Sequence, residues 1–210
     1  MTRKHLILIL FASIFSLSLA ARPFPDKRFF DRFVVGVEWG YTQSLFLHRD
    51  YNFISDEGYR VYEQDFSFLP HANAQVLATL GYRLSEVALL SLYGGYMGMG
   101  KDNRLLPAML RFSYFPSTDS EEGLFAYGQG GVAWHIHATA GRMAWLGAAG
   151  AGYRFRLSYD TNLDLLIGVK YVHDHPSIPN PESPGNVPEH NIRKNNAGYY
   201  ALDLSIAINF

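Results

Sequence analysis

The sequence predicts an all-β protein that forms a closed, antiparallel, up-and-down transmembrane β-barrel of about eight strands. Three observations support this prediction. Apolar and polar residues alternate with a period of two in segment after segment, which is typical of strands with one apolar face. After the first twenty residues, no apolar run is long enough to cross a bilayer as a helix. Aromatic residues make up 15% of the chain, and they concentrate near the ends of the apolar faces, as in the interfacial girdles of membrane barrels.

The N-terminal segment has the features of an export signal. Arg3 and Lys4 precede an almost continuously apolar run from Leu6 to Leu17, and small residues follow at Ser18 and Ala20. These features together define a secretory signal peptide. Residues 1–20 are therefore predicted to be a cleavable signal peptide, and residues 21–210 one outer-membrane β-barrel domain. A retained membrane helix is the alternative, but it would need roughly 18 or more apolar residues.

The composition excludes several classes of function. The formal net charge is -1, and basic and acidic residues are interspersed, so the sequence shows no electrostatic footprint for nucleic acid. The chain contains no cysteine, which removes disulfides, thiolate metal sites and cysteine nucleophiles. No pattern in the sequence predicts a cofactor.

Each predicted strand sets bulky residues at alternate positions against small or polar residues between them. In chain order, the apolar positions of the first four segments are Phe33, Val35, Val37, Trp39 and Tyr41; Ala74, Val76, Ala78, Leu80 and Tyr82; Leu90, Leu92 and Tyr96; and Leu106, Leu110, Phe112 and Tyr114. The tight turn between the second and third segments is predicted at Ser85 and Glu86. Consecutive segments are therefore expected to pair with each other as β-hairpins.

The last four segments follow the same pattern. Their apolar positions are Leu124, Ala126, Val132, Trp134 and Ile136; Met143, Trp145, Ala149, Tyr153 and Phe155; Leu163, Leu165, Ile167, Val169 and Tyr171; and Tyr200, Leu202, Leu204, Ile206, Ile208 and Phe210. Because lipid offers no hydrogen-bond partners, such strands must close into a barrel without free edges.

Alternation alone does not decide which face looks outward, so a secreted lipocalin-like barrel with an apolar cavity is an alternative. The polar face is rich in Gly, Ala and Ser, which suits a narrow lumen. The apolar face carries aromatic residues near the strand ends, and a soluble barrel has no need of them there. The predicted girdle consists of Trp39, Tyr41, Tyr82, Tyr96, Tyr114, Trp134, Trp145, Tyr153 and Tyr171. Both observations favour a membrane barrel.

Signal peptide, eight alternating segments, girdles and terminal Phe210 together resemble the small eight-stranded outer-membrane barrels, namely the OmpX type and the transmembrane domain of OmpA. The resemblance implies a Gram-negative outer membrane with both termini in the periplasm. It also implies contact with outer-membrane lipids and lipopolysaccharide, and recognition of Phe210 by the barrel-assembly machinery. The two longest predicted connections, Leu47 to Phe68 and His173 to Asn196, then lie on the outer face.

The inward positions predict a polar network in the lumen. Its members are Glu38, Arg83, Arg111, Gln129, Arg154, Arg156, Asp164, Lys170 and Asp203. Side chains can fill a barrel of about eight strands, and buried charges must pair to offset desolvation. A filled lumen is therefore expected, and a selective ion path lined by the same groups is the alternative.

The histidines are candidates for chemistry at the outer rim. His135 and His137 share the inward face, and His173 and His175 share the outward face of the seventh segment. Such a pair could hold a metal, but neither has an obvious carboxylate companion at a fixed spacing. We interpret them as rim histidines and predict no metal site.

Residues Gly168 to His175 also resemble, more weakly, the lipid A deacylase barrels of the PagL type. Those enzymes carry a His on the lipid-facing side of a late strand, followed two residues later by a nucleophilic Ser. His173 matches the His, but His175 occupies the Ser position. Without that hydroxyl the acyl-transfer reaction lacks its nucleophile, so His173 is only a weak catalytic candidate.

The outer loops are the remaining place for function, because loops on a rigid scaffold carry binding. Tyr51, Phe53, Tyr59 and Tyr62 in the first loop are candidates for contact with a protein partner or a glycan. The sequence thus favours a non-enzymatic outer-membrane barrel, either structural or an accessory subunit that docks to a surface assembly. The alternatives are a lipid A-modifying enzyme and a small-solute pore.

Overall fold

Eight antiparallel strands form a closed barrel in sequential order, with the first strand paired to the last. The computed structural model describes residues 32–100, 103–116, 122–136 and 143–210, and the predicted signal peptide lies outside these ranges. The prediction of a closed antiparallel up-and-down barrel is confirmed. Within the described ranges, no helix has the length and apolar character needed to cross a membrane.

The strands differ in length. They are β1 (Phe33–Ile54), β2 (Arg60–Ser85), β3 (Ala88–Met99), β4 (Asn103–Tyr114), β5 (Gly123–His135), β6 (Met143–Arg156), β7 (Asn162–Asp174) and β8 (Ile192–Asn209). We call the end that holds Phe33 and Asn209 the inner end, and the opposite one the outer end. At the inner end, β2 and β3 are separated by Glu86 and Val87 alone, and β6 and β7 by residues 157–161.

The period-two pattern decides which side chains face the lumen. Outward residues such as Leu110 and Ile167 are exposed, whereas inward residues such as Glu38 and Leu77 are fully buried. The result is an apolar exterior around a closed interior. Lipid around the barrel requires an apolar exterior, and a barrel of eight strands requires side chains that fill its interior.

Small residues on the inward face make room for the larger lumen side chains. Gly40 is an example: a Cβ atom at this position would lie 2.5 Å from Nε2 and 2.8 Å from Cγ of Gln75. The missing side chain lets Gln75 lie across β1. The Gly-rich polar face of the sequence is therefore a packing requirement of the narrow lumen.

Three strands continue beyond the barrel as a separate sheet. β1 and β2 remain paired as far as Ile54 and Arg60, and β1 pairs with β8 as far as Phe53 and Ile192. We call this three-stranded part, residues 46–54, 60–74 and 192–196, the outer sheet. β2 pairs with β3 only from Gln75 onward, so the outer sheet projects past the other strands.

The predicted first loop from Leu47 to Phe68 is wrong, because most of these residues are strand and the connection is residues 55–59. A register shift between Ser44 and Phe46 changes which positions face outward, and this interrupts the alternation. The seventh connection is shorter than predicted as well, since β7 ends at Asp174 and β8 begins at Ile192.

Candidate functional site

An arginine–glutamate pair crosses the middle of the lumen. Arg111 Nη1 lies 2.6 Å from Glu38 Oε2, and Nη2 lies 3.2 Å from Oε1. The same guanidinium donates to Gln129 Oε1 at 2.7 Å and to the Tyr93 hydroxyl at 2.9 Å. Because Glu38 lies on β1 and Arg111 on β4, the contact joins opposite sides of the barrel.

A second polar group surrounds Lys170. Its Nζ lies 3.2 Å from Asp203 Oδ1 and donates to Gln75 Oε1 at 2.6 Å. Thr42 donates to Asp203 Oδ1 at 2.8 Å, and Gln75 Nε2 donates to both oxygens of that carboxylate at 3.1 Å. Gln75 Nε2 also lies 3.4 Å from Glu38 Oε1. The two groups therefore form one continuous network.

A third pair lies nearer the inner end. Arg154 and Asp164 face each other on β6 and β7 and form two parallel hydrogen bonds of 2.7 Å each. Asn209 Nδ2 donates to the same carboxylate at 2.8 Å. The Arg154 guanidinium lies 4.7 Å from the centre of the Phe115 ring. Bidentate geometry and aromatic contact suit a guanidinium that is removed from water.

Apolar clusters fill the lumen on both sides of the polar network. The outer cluster includes Leu47, Leu77, Met97, Met99, Leu105, Met109 and Val172. The inner cluster includes Val34, Leu89, Phe115, Phe125, Tyr127 and Leu166. Flexible methionine side chains are suited to such irregular spaces. Packed side chains therefore occupy the lumen at each of these levels.

The structure places seven of the nine predicted lumen residues in this buried core: Glu38, Arg111, Gln129, Arg154, Asp164, Lys170 and Asp203. Arg83 is half-buried near the inner end of β2. The assignment of Arg156 to the lumen is wrong, since this residue is exposed at the end of β6 with its guanidinium 5.7 Å from the Tyr159 ring. Position Arg156 keeps the inward parity but lies beyond the closed part of the barrel.

The residues predicted as an aromatic girdle all point away from the lumen. Tyr82, Tyr114 and Tyr153 lie toward the inner end, and Tyr96, Trp134, Trp145 and Tyr171 lie toward the outer end. Trp39 pairs with Val76 and Ile206. Trp39 and Tyr41 thus lie among aliphatic side chains within the apolar band, not at its border.

The rim histidines have contacts that the sequence did not reveal. His135 Nε2 lies 2.8 Å from Asp174 Oδ1, a carboxylate companion that no fixed sequence spacing indicated. The partner comes from β7, on the far side of β6, and the curvature of the wall brings the two inward side chains together. The rings of His173 and His175 are 5.0 Å apart. His137 lies outside the described residues, and among the residues that are described no group suits a metal ion.

The weak deacylase resemblance gains nothing from the geometry. His173 lies on the outward face next to His175, whose Nδ1 contacts the Asn195 carbonyl oxygen. Ser177 lies beyond the end of β7, in the connection to β8. The outward positions of β8 from Tyr200 to Ile208 carry no acidic residue. Within the described part of the chain, the outward face of β8 therefore supplies no acidic partner for His173.

The connection between β7 and β8 folds onto the inner face of the outer sheet. Ile178 and Val187 pack against Tyr51 and Phe53. The prediction of Tyr51 and Phe53 as exposed binding residues is wrong, because both are buried strand residues under this segment. The other two candidates, Tyr59 and Tyr62, are exposed at the tip.

Polar contacts hold the same connection to the tip of the β1–β2 hairpin. Asn180 Nδ2 donates to Asp56 Oδ2 at 2.7 Å, and the Glu57 amide donates to Glu182 Oε2 at 3.3 Å. A hydrogen bond with the Glu182 carboxylate raises the pKa of Tyr59. The outer sheet is therefore fixed from its inner side by the chain itself.

The opposite, outward face of the outer sheet carries exposed aromatic residues. Phe66 and Phe68 on β2 are 61% and 63% exposed. Phe46 stacks on Phe66 with ring centres 5.3 Å apart and lies 5.6 Å from the Phe68 ring. Phe46 also pairs with Tyr200 of β8. Sequence reasoning missed this face because it assigned the region to a loop.

Comparisons with known proteins find likenesses of fold. No protein-family model matches the sequence, and no curated protein does. Similar solved structures include the outer membrane protein OprG from Pseudomonas aeruginosa (11% identity, 85% of this chain and 95% of that one, TM-score 0.49) and Neisserial surface protein A (12%, 82% and 95%, 0.41). The outer membrane protease OmpT from Escherichia coli is also similar (7%, 84% and 96%, 0.38). Identities this low do not indicate a shared activity.

Proposed function

We propose that this chain is an integral outer-membrane barrel without a channel, which displays a rigid sheet to a partner at the cell surface. The observation that carries the proposal is the outer sheet. It projects beyond the barrel, residues 175–191 cover its inner face at Tyr51 and Phe53, and its outward face carries the exposed Phe66 and Phe68. A structural anchor alone would not need an extension of this kind.

The exterior of the barrel supports the membrane location. Within the barrel wall most outward positions carry apolar side chains, while charged residues such as Arg111 and Lys170 are buried inside. Closure pairs β1 with β8 and leaves no sheet edge in the barrel wall. In water such an exterior would be a large exposed apolar surface, which monomeric soluble proteins avoid.

The lumen contacts support the absence of a channel. The Arg111–Glu38 pair spans the interior, and apolar clusters lie on both sides of it. Separating buried ion pairs to admit a hydrated ion costs several kcal/mol. The purified barrel in planar bilayers is expected to give no steady open-channel current. The positive control has an emptied lumen and is the triple variant Arg111→Ala, Met97→Ala, Met109→Ala. A steady current through the unaltered protein would contradict this part of the proposal.

The topology can be tested directly because the chain has no cysteine of its own. Glu57 lies in the turn at the tip of the outer sheet, and Asp160 lies in the exposed turn between β6 and β7 at the inner end. In intact cells, a membrane-impermeant maleimide is expected to label Glu57→Cys and to leave Asp160→Cys unlabelled until the outer membrane is opened. Labelling of Asp160→Cys alone would reverse the orientation, and equal labelling of both in intact cells would place the chain outside the membrane.

A further inference from the structure

We propose that two copies of this chain pack side by side in the same membrane through the outward face of β1, β2 and β8. This inference rests on the membrane location proposed above. The first support is the unequal height of the apolar exterior. On β2 the outward apolar positions run from Phe66 to Tyr82, and on β4 only from Leu106 to Tyr114. At about 3.3 Å per residue and a tilt of about 40°, these columns are roughly 40 Å and 20 Å high.

The taller column extends past what lipid covers. The apolar band of an outer-membrane barrel is about 25 Å tall, so the upper part of the β2 column, with Phe66 and Phe68, lies above the hydrocarbon. The inner face of the same sheet is already covered by Ile178 and Val187. The aromatic outward face is therefore the one that still needs a partner.

The charges on this face favour an apolar, neutral partner over lipopolysaccharide phosphate. The charged or titratable outward residues of the outer sheet are Lys194 and Asp50, which pair with each other, Arg60 and Tyr62 near the tip, and His48. Phosphate groups are bound by clusters of free arginine and lysine side chains, whereas here Lys194 is paired with Asp50 and Arg60 donates to Asn52 Oδ1 at 2.9 Å. At the level of Phe46, Phe66 and Phe68 the outward positions hold no Lys, Arg, Asp or Glu, and a second copy presents the same surface, so no like charges oppose each other there.

The symmetry of a membrane dimer allows two copies to pack through their outward faces, but it does not allow their free β2 edges to pair. Residues 60–74 of β2 lack a pairing partner on the β3 side among the described residues. Two copies inserted in the same direction are related by an axis along the membrane normal. Their β2 strands then both run the same way through the membrane and cross at a large angle, so they cannot form an antiparallel pair. Packing of one outward face on the other is compatible with this axis.

The available area is sufficient for a stable dimer. The aromatic side chains on this face are Trp39, Tyr41, Phe46, Phe66, Phe68 and Tyr200, each between 37% and 71% exposed. At about 200 Å² per aromatic side chain, roughly half exposed, they offer about 600 Å² per copy. The total of about 1,200 Å² reaches the lower end of the range for specific, stable interfaces.

The membrane-level part of this face also has a self-complementary shape. Trp39 is 71% exposed and stands beside an apolar groove of about 650 Å³. The groove is lined by Trp39, Tyr41, Ala74, Leu165, Leu204 and Ile206. In a two-fold interface each copy supplies both surfaces, so the Trp39 ring of one copy can enter the groove of the other. The interface would then continue from the apolar band up to Phe68.

Cysteine cross-linking tests the dimer without background, because the native chain has no cysteine. Single variants Phe66→Cys, Phe68→Cys and Ala72→Cys place a thiol on the proposed face. Leu106→Cys is the matched control at the outer end of β4, with Leu106 similarly exposed at 48%. After mild oxidation of native membranes, at least one variant on the face is expected to give a product of twice the chain mass, and the control is not.

The double variant Phe66→Ser, Phe68→Ser provides a second readout, with Leu106→Ser, Leu110→Ser as its control. In mild detergent, light scattering is expected to give a dimer for the unaltered chain and the control, and a monomer for the double variant. Equal cross-linking at Phe68 and Leu106, a product whose mass reveals a different protein, or an unaltered monomer with bound lipid would each overturn the dimer. Surface labelling of Glu57→Cys with no dimer would leave the proposed function standing and remove this inference alone.

Discussion

Two lysine–aspartate pairs show how differently the lumen and the outer sheet are built. Lys170 and Asp203 lie 3.2 Å apart in the lumen with 1% and 2% of their side chains exposed. Lys194 and Asp50 form the corresponding contact on the outer sheet, where 45% and 13% are exposed. The same kind of pair is therefore fully buried in the lumen and partly exposed on the outer sheet.

The difference separates two kinds of stability. In the lumen each charge also meets neutral hydrogen-bond partners, as Asp203 does with Thr42 and Gln75, because a buried charge without partners is costly. On the outer sheet, water can replace the lost partner of an ion pair. Order there comes from the apolar contacts beneath residues 175–191. We expect the lumen to set the global stability and these contacts to set the local order of the tip.

The largest effect is expected from Lys170→Met. It leaves the Asp203 carboxylate buried without its cation, and breaking a buried pair by removing one partner costs roughly 3–5 kcal/mol. Equilibrium unfolding by urea in lipid vesicles would measure the change. The double variant Lys170→Met, Asp203→Asn is the control, and it should recover part of the loss because no charge remains buried. A single variant as stable as the unaltered protein would show that water reaches the lumen.

The sequence predicted the wall of the barrel well because each strand there has one face in each environment. In β7, Leu165 and Ile167 face outward, and Asp164 and Lys170 face inward, as their alternation predicts. The parity of most lumen residues follows from the same rule. The hydrogen-bond partners of these residues do not follow from the alternation. Arg111 contacts Glu38 only because the wall from β1 to β4 curves round the lumen and brings β4 opposite β1.

The outer sheet escaped prediction for a different physical reason. Between Glu63 and Asp65 both faces of β2 are exposed and polar residues occupy successive positions, so the alternation that marks a half-buried strand is lost. The register shift at Phe46 then reverses the parity of β1. Phe53 and Ile178 are far apart in sequence, and their contact depends on how residues 175–191 fold back.

A smaller and local effect is expected from Phe53→Ala in the outer sheet. Phe53 is 3% exposed beneath Ile178 and Val187, and loss of such a side chain costs about 3 kcal/mol. The loss should favour opening of residues 175–191 with little change in the urea midpoint of the barrel. Hydrogen exchange of these residues measures the opening. Exposed Tyr62→Ala, on the same sheet, is the matched control and should leave the exchange unchanged. A large fall in the global midpoint would show that the two regions unfold together.

A still smaller effect is expected from Asp56→Ala at the tip. The substitution removes the acceptor of the Asn180 and Ser183 side chains, and exposed hydrogen bonds contribute less than about 1 kcal/mol. Protease cleavage within residues 180–186 should become modestly faster. Asp160→Ala, in the exposed turn at the inner end, serves as the control. Unchanged cleavage would assign the order of this segment to its apolar contacts alone.

The smallest effect is expected from Lys194→Met, and it completes the comparison with Lys170→Met. Both substitutions replace a lysine that contacts an aspartate by a side chain of similar length. On the outer sheet Lys194 is 45% exposed and Asp50 13%, so this pair is less completely removed from water than the lumen pair. Long exposed side chains also lose conformational freedom when they pair, so such pairs contribute little. The urea midpoint is expected to remain unchanged within error, at low and at high salt. If Lys194→Met destabilised the protein as much as Lys170→Met, burial would not be what distinguishes the two regions, and the outer sheet would have to be shielded from solvent, for instance by a second copy packed against it.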